Sequence, residues 1–188
     1  MRLLAGLRDV DRRLSQQAAV GCPPAAGKVL SAVEEVAEGS KLWCGAAVVM
    51  AVFGGRPGRR AAASDVAALA VAQLVSSGLC KQLADRSRPP REWFPHDEVE
   101  DRPQSSSFPS GHTAAAVAFA AAVAPTWPLA GALCAMPAVM VAVERVQSGA
   151  RYPSDVATGA LIGLASAWLT RRAPHLLLRQ RLRSGLPW

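Results

Sequence analysis

The chain has 188 residues, a formal net charge of +7 from 21 lysines and arginines against 14 acids, and 51% apolar residues with only 5% aromatics. A basic balance suits nucleic acid or an anionic membrane surface; long alanine-rich apolar runs decide for the membrane and against a nucleic-acid partner. The length fits one domain, and a soluble helical protein with an alanine-rich core is the competing reading.

Residues 1–40 read as two amphipathic helices. Leu3, Leu7, Val10 and Leu14 form one apolar stripe, with Arg2, Arg8, Asp11, Arg12 and Arg13 mostly off it. The apolar run after Arg2 is broken at Arg8 and Asp9, so no cleavable signal peptide is expected. After "GCPP", Val29, Leu30, Val33, Val36 and Ala37 form a second stripe opposed by Glu34, Glu35 and Glu38. Both helices could lie on the membrane interface or pack against a bundle.

Residues 41–170 form the expected transmembrane domain. Five segments could cross or enter a bilayer: Leu42 to Gly55, Ala61 to Cys80, Thr113 to Ala124, Thr126 to Val143 and Pro153 to Thr170. Several fall short of the ~20 residues of a full span and must borrow flanking helix. The second carries Asp65, Gln73, Ser76 and Ser77, so it should face other helices rather than lipid. "GALIG" (Gly159 to Gly163) has the small-residue spacing that allows close helix crossing. Cys22, Cys44, Cys80 and Cys134 lack metal-ligand spacing, and no metal or cofactor is expected.

Loop charges orient the chain. The link Arg56 to Arg60 holds three arginines and no acid, and the basic tail 171–188 holds five arginines and no acid, so both should be cytoplasmic. The loop from Lys81 to Phe108 carries five bases (Lys81, Arg86, Arg88, Arg91, Arg102) against six acids (Asp85, Glu92, Asp97, Glu98, Glu100, Asp101), a balance that suits the external side. The connection from Glu144 to Tyr152 falls on that side too. Three polar stretches distant in sequence should therefore meet at one membrane face.

The first, "KQLADRSRP", sets Lys81 seven residues before Arg88. Alone, these cations could equally serve anionic headgroups. In the second, "SSSFPSGHTAAA", Ser110 and Gly111 precede an alanine-rich helix. Its first-turn N–H groups, its dipole and the Ser110 hydroxyl form an anion pocket, with His112 at the mouth able to hold or give a proton. The third, "ERVQSGARYPSD", brings Arg145 to the end of one segment and Asp155 to the start of the next. Asp155 could be a plain helix cap, or could orient a catalytic partner one turn earlier, at position 151.

Together these stretches resemble the three signature motifs of the type 2 phosphatidic acid phosphatase (PAP2) superfamily: Lys-x6-Arg-Pro, Pro-Ser-Gly-His and Ser-Arg-x5-His-x3-Asp. The resemblance covers roughly Leu42 to Thr170. It implies an all-α integral membrane bundle of about five to six membrane helices, of the bacterial membrane lipid phosphatase type. The site would lie on the external face of a plasma membrane. The reaction implied is metal-independent dephosphorylation of a lipid phosphate or diphosphate, such as phosphatidic acid or a polyprenyl phosphate. Lys81, Arg88 and Arg145 would clamp the phosphate, Ser110 and the Gly111 amide would add hydrogen bonds, and His112 would protonate the leaving oxygen. Asp155 matches the aspartate that holds the nucleophilic histidine.

Two positions depart from the pattern. Glu144 stands where serine is usual, and Arg151 occupies the nucleophile position. A guanidinium stays protonated and has no lone pair with which to attack phosphorus. Asp155 is then expected to pair with Arg151. The chain could bind a lipid phosphate without turnover, hydrolyse it by direct attack of water, or be an otherwise complete phosphatase with its nucleophile replaced. Of the other histidines, His175 falls in the cytoplasmic tail, and no spacing argument places His96 over the site.

Overall fold

A computed structural model describes residues 2–21, 23–94 and 105–184. His96 and the acids between Asp97 and Asp101 lie outside the described residues, as does the side chain of His175. The elements are α1 (Arg2–Val20), α2 (Pro24–Ala37), a 3₁₀ turn (Glu38–Ser40), α3 (Lys41–Phe53), α4 (Gly55–Gln73), a π-helical segment (Leu74–Cys80) and the short α5 (Lys81–Leu83). A second 3₁₀ turn (Arg91–Trp93), α6 (Gly111–Val123), α7 (Pro128–Gln147) and α8 (Pro153–Ser184) follow. Prolines open α2, α7 and α8, where a missing N–H costs nothing and the fixed φ favours the first turn.

The molecule is an all-α integral membrane bundle built around α6. Ten of the thirteen residues of α6 are buried, so it is the central helix, with α4, α7 and α8 packed around it. Glycine sets how closely α8 approaches: a Cβ at Gly159 would lie 2.4 Å from the Ser110 carbonyl oxygen, and one at Gly163 2.6 Å from that of Ala114. The "GALIG" spacing thus marks a backbone-to-backbone crossing. A second cluster joins α3, α4, α6 and α7 around Trp43 and Phe119, whose ring centroids are 5.4 Å apart.

Among the described residues, three stretches are long and apolar enough to cross a membrane, Ala25–Phe53, Gly55–Cys80 and Pro128–Gln147, and α6 is a shorter apolar helix. The first segment gains its length by running back through the 3₁₀ turn into α2. Large apolar side chains face outward along the helices, among them Val48, Val52, Leu74, Leu133, Met136 and Leu161. Such a surface belongs in lipid. Asp65 and Ser76 are fully buried between helices, while Gln73 and Ser77 line an internal cavity.

The stripe of α1 turns out to face away from the bundle. Leu7, Val10 and Leu14 are exposed, whereas Asp11, Ser15 and Ala19, one row at helical spacing, are buried. Asp11 decides this orientation through ion-paired and hydrogen-bonded partners on the bundle that no surface position could offer.

Candidate active site

The three polar stretches converge at one end of the bundle. Residues 105–110 form a loop with a cis Phe108–Pro109 bond, ending in Ser110, which caps α6. The Ser110 hydroxyl accepts the Thr113 N–H at 3.4 Å and shares a 2.8 Å hydrogen bond with the Thr113 hydroxyl. Ser110 is also fully buried. Its hydroxyl, expected to hydrogen-bond a phosphate, here caps the helix, while the next two residues, Gly111 and His112, line the cavity. A Cβ on Gly111 would stand 2.8 Å from the Ser77 hydroxyl, so a residue without a side chain lets the α6 N-terminus meet the π-helical segment.

Four cations surround His112: Arg145, Arg151, Lys81 and Arg88. Arg88 is fixed by backbone carbonyls, its Nε donating to Ser105 O at 3.2 Å and its Nη1 to Ala150 O at 3.1 Å. Arg145 is held by carboxylates, with its Nε 2.7 Å from Glu144 and its Nη2 on Glu34. The Glu34 oxygen that meets Arg145 also lies 3.6 Å from His112 Nε2. Glu144, at the position where the motif has serine, thus becomes a buried partner of Arg145.

Arg151 is buried at 4% exposure, and its Nη1 donates to the carbonyls of Ser106 at 2.6 Å and Ser107 at 2.5 Å. Its Nε is buried without a hydrogen-bond partner. Burial first, then Arg88 and Arg145, push its pKa down to about 10, against the pull of Asp155. Lys81 is lowered by burial and by Arg151 and Arg88; Arg88 is lowered by burial and by Arg145. Even so, Arg151, at about 10, stays protonated at neutral pH.

The expected Asp155–Arg151 pair does not form. Asp155 is fully buried, and its Oδ1 accepts from Arg86 at 2.6 Å while its Oδ2 accepts the Tyr152 N–H at 3.0 Å. Arg86 also pairs with Asp11 of α1 at 2.7 Å, donates to the Ser154 hydroxyl at 2.8 Å and lies over the Tyr152 ring. Asp11 in turn accepts the Ser154 N–H at 2.9 Å and its hydroxyl at 2.6 Å, capping the start of α8 from another helix. Burial works against the Arg86 charge, but the Asp11 and Asp155 carboxylates outweigh it and raise its pKa. The Tyr152–Asp155 turn therefore directs the carboxylate toward Arg86 and the Arg151 fork toward the 105–110 loop.

Sequence reading missed three residues here. The helical row Asp11–Ser15–Ala19 was a visible signal for Asp11. Nothing local separates Glu34 from Glu35 and Glu38, or marks Arg86 apart from the other bases of its loop.

A cavity of about 290 Å³ opens beside this cluster, lined at one end by Lys81, His112 and Arg151 and at the other by Gly39, Ser40 and Gln73. Among the described residues, Lys81, Arg88 and Arg151 make no ion pair, although each is buried or half-buried. Uncompensated cations suit an anion, and Lys81 and Arg151 stand on the cavity wall.

The PAP2 superfamily model matches residues 61–179, more than half of the chain. Among solved structures, LpxE of Aquifex aeolicus is similar at a TM-score of 0.67 and 22% identity, over 85% of this chain and 93% of that one. A transmembrane PAP2-type phosphatidylglycerolphosphate phosphatase of Bacillus subtilis is similar at 0.67 and 21% identity, over 90% of this chain and 87% of that one. No curated protein sequence matches significantly.

Proposed function

This chain belongs to the PAP2 superfamily, and from that premise we propose that its cation cluster is a lipid phosphatase site, receiving the phosphate of a lipid phosphate or diphosphate such as a phosphatidic acid or a polyprenyl phosphate. The observation that carries this reading is that Lys81 and Arg151, which make no ion pair among the described residues, line one cavity with His112, and that Arg88 and Arg145 act on the same histidine. Lys81, Arg88 and Arg145 clamp the phosphate oxygens, and the Gly111 amide at the α6 N-terminus donates to one of them. These charges neutralise the phosphate without a metal. Burial and then the four cations lower the His112 pKa to about 4, so the imidazole takes up its proton only once the phosphate's negative charge offsets those cations, and gives it to the leaving lipid oxygen as its bond to phosphorus breaks. The site faces outward across a bacterial-type plasma membrane, a reading supported by the arginines of the Arg56–Arg60 link and of the tail.

Arg151 blocks the remaining step. Attack on phosphorus needs a lone pair, and a guanidinium with a pKa near 10 has none at neutral pH. Turnover by the family route is therefore severely reduced here. A second reading, a lipid-phosphate-binding membrane protein without turnover, is favoured by the way Arg151 ties residues 145–155 to the 105–110 loop through the Ser106 and Ser107 carbonyls. Those bonds give it a binding and structural role that no nucleophile would need.

Phosphate release in detergent, from this chain beside Arg151→His and Arg151→His/His112→Ala, decides between the two. The phosphatase reading expects turnover from the single variant alone. Turnover by the unaltered chain equal to that of Arg151→His overturns the role given to position 151. Inertness of all three, with binding of inorganic phosphate retained, leaves the binder.

A further inference from the structure

Two of the stretches long and apolar enough to cross a membrane lose regularity side by side, against the same cavity. The span Ala25–Phe53 breaks at Glu38–Ser40, where Gly39 (φ 60°) and Ser40 (φ 65°) are both left-handed. For a serine this conformation is strained. Opposite, α4 gives way at Gln73 to the π-helical Leu74–Cys80, which carries Ser76 and Ser77. The two irregularities are joined, since Gln73 Nε2 donates to Ser40 Oγ at 2.8 Å.

A chain segment that merely crosses lipid keeps its backbone hydrogen bonds within a regular helix. Breaks at membrane depth are tolerated where they line a cavity, and there they mark where a substrate's polar atoms are held. Gly39, Ser40, Gln73 and Ser77 all line the cavity whose other end is formed by Lys81, His112 and Arg151. Moreover, Gln73, Ser77 and Lys81 follow one another at four-residue spacing, so the polar row descends from the cations toward the break.

Building on the phosphate-binding reading above, we infer that Ser40, Gln73 and Ser77 form a hydrogen-bonding subsite for the linker between a lipid's phosphate and its hydrocarbon. The subsite selects lipid phosphates whose linker bears oxygen atoms, as a glycerol diester does. It disfavours polyprenyl phosphates, in which phosphate is attached directly to hydrocarbon. The physical reason is asymmetric: beyond the one hydrogen bond they share, an alkyl chain laid against Ser40 and Gln73 leaves the Ser40 hydroxyl proton and the second Gln73 amide proton without water or partner, whereas ester oxygens accept from them. These residues bind and select; they take no part in bond breaking.

The test measures binding by the full chain in detergent micelles, so it does not depend on turnover. The probes are inorganic phosphate, dioleoyl phosphatidic acid, its dialkyl ether analogue and farnesyl phosphate. The variants are Gln73→Met, which keeps volume, and Ser40→Gly, which keeps the left-handed backbone and relieves its strain. The unaltered chain should prefer the diester to farnesyl phosphate, with the ether between them. Each variant should shrink that preference by roughly two- to tenfold, the worth of one hydrogen bond, and leave inorganic phosphate binding unchanged. A preference that survives both variants overturns the subsite while the cation cluster stands. Failure of the unaltered chain to bind inorganic phosphate or any lipid phosphate overturns the phosphate reading, and this inference with it.

Discussion

Replacing Asp11 with alanine tests whether α1 is part of the site or a loosely attached arm. The carboxylate is 2% exposed and accepts from Arg86 at 2.7 Å, from the Ser154 hydroxyl at 2.6 Å and from the Ser154 N–H at 2.9 Å. A hydrogen bond to a charged group contributes about 1.5–3 kcal/mol, and losing a helix cap costs about 1 kcal/mol. Because these bonds share one side chain they do not add fully. Arg86, at 28% side-chain exposure, also recovers part of its loss from water. The net cost is therefore about 3 kcal/mol, which for a chain of this size lowers Tm by about 6–12 °C. Thermal unfolding in detergent, followed by helical circular dichroism, reads it directly. Asp11→Ala combined with Arg86→Ala should show a coupling of about 1–2 kcal/mol, since the second change removes a partner already lost. A drop of less than about 2 °C for Asp11→Ala, or strict additivity in the double variant, would refute the claim that α1 locks the start of α8.

Further outcomes follow from the close crossing and from the buried cations. Gly159→Ala should destabilise by about 1–3 kcal/mol, because overpacking against the Ser110 carbonyl outweighs the roughly 1 kcal/mol that alanine contributes over glycine in a helix. Gly45→Ala, where nothing lies within 4 Å, should stabilise instead, and equal effects at the two sites would discount the crossing. Lys81, Arg88 and Arg151 are lowered by burial and then by neighbouring cations, Arg151 to about 10, so they lose protons at lower pH folded than unfolded. The unfolded chain then binds more protons, and stability should rise as pH climbs toward and through about 10. Phosphate binding needs the charged forms and should fall over the same window. Tm and phosphate affinity moving in the same direction there would contradict the assignment.

Much of this protein was legible in its residues because the signals are local. Alanine-rich runs of near-membrane length and "GALIG" are properties of neighbouring residues; the runs foretold the membrane bundle, and the small-residue spacing foretold a close helix approach without naming the partner. Three short motifs, each beside a segment end, likewise foretold that Lys81, Arg88, Gly111, His112, Arg145 and Arg151 would gather at one end. What the sequence left open is which cation takes which carboxylate. Asp155 chooses Arg86, 69 residues away, over Arg151 only four positions before it. Asp11 reaches Ser154 across 143 residues, and Glu34 joins Arg145 although its own helix distinguishes it from no other glutamate. A buried charge settles on a partner by the few ångströms between side chains that packing brings together, and helical periodicity carries no record of those distances. The same holds for the break at Gly39–Ser40. "EGSKLW" reads locally as a helix boundary; only the bundle, by setting Gln73 against it, turns that boundary into one wall of the cavity below the cations.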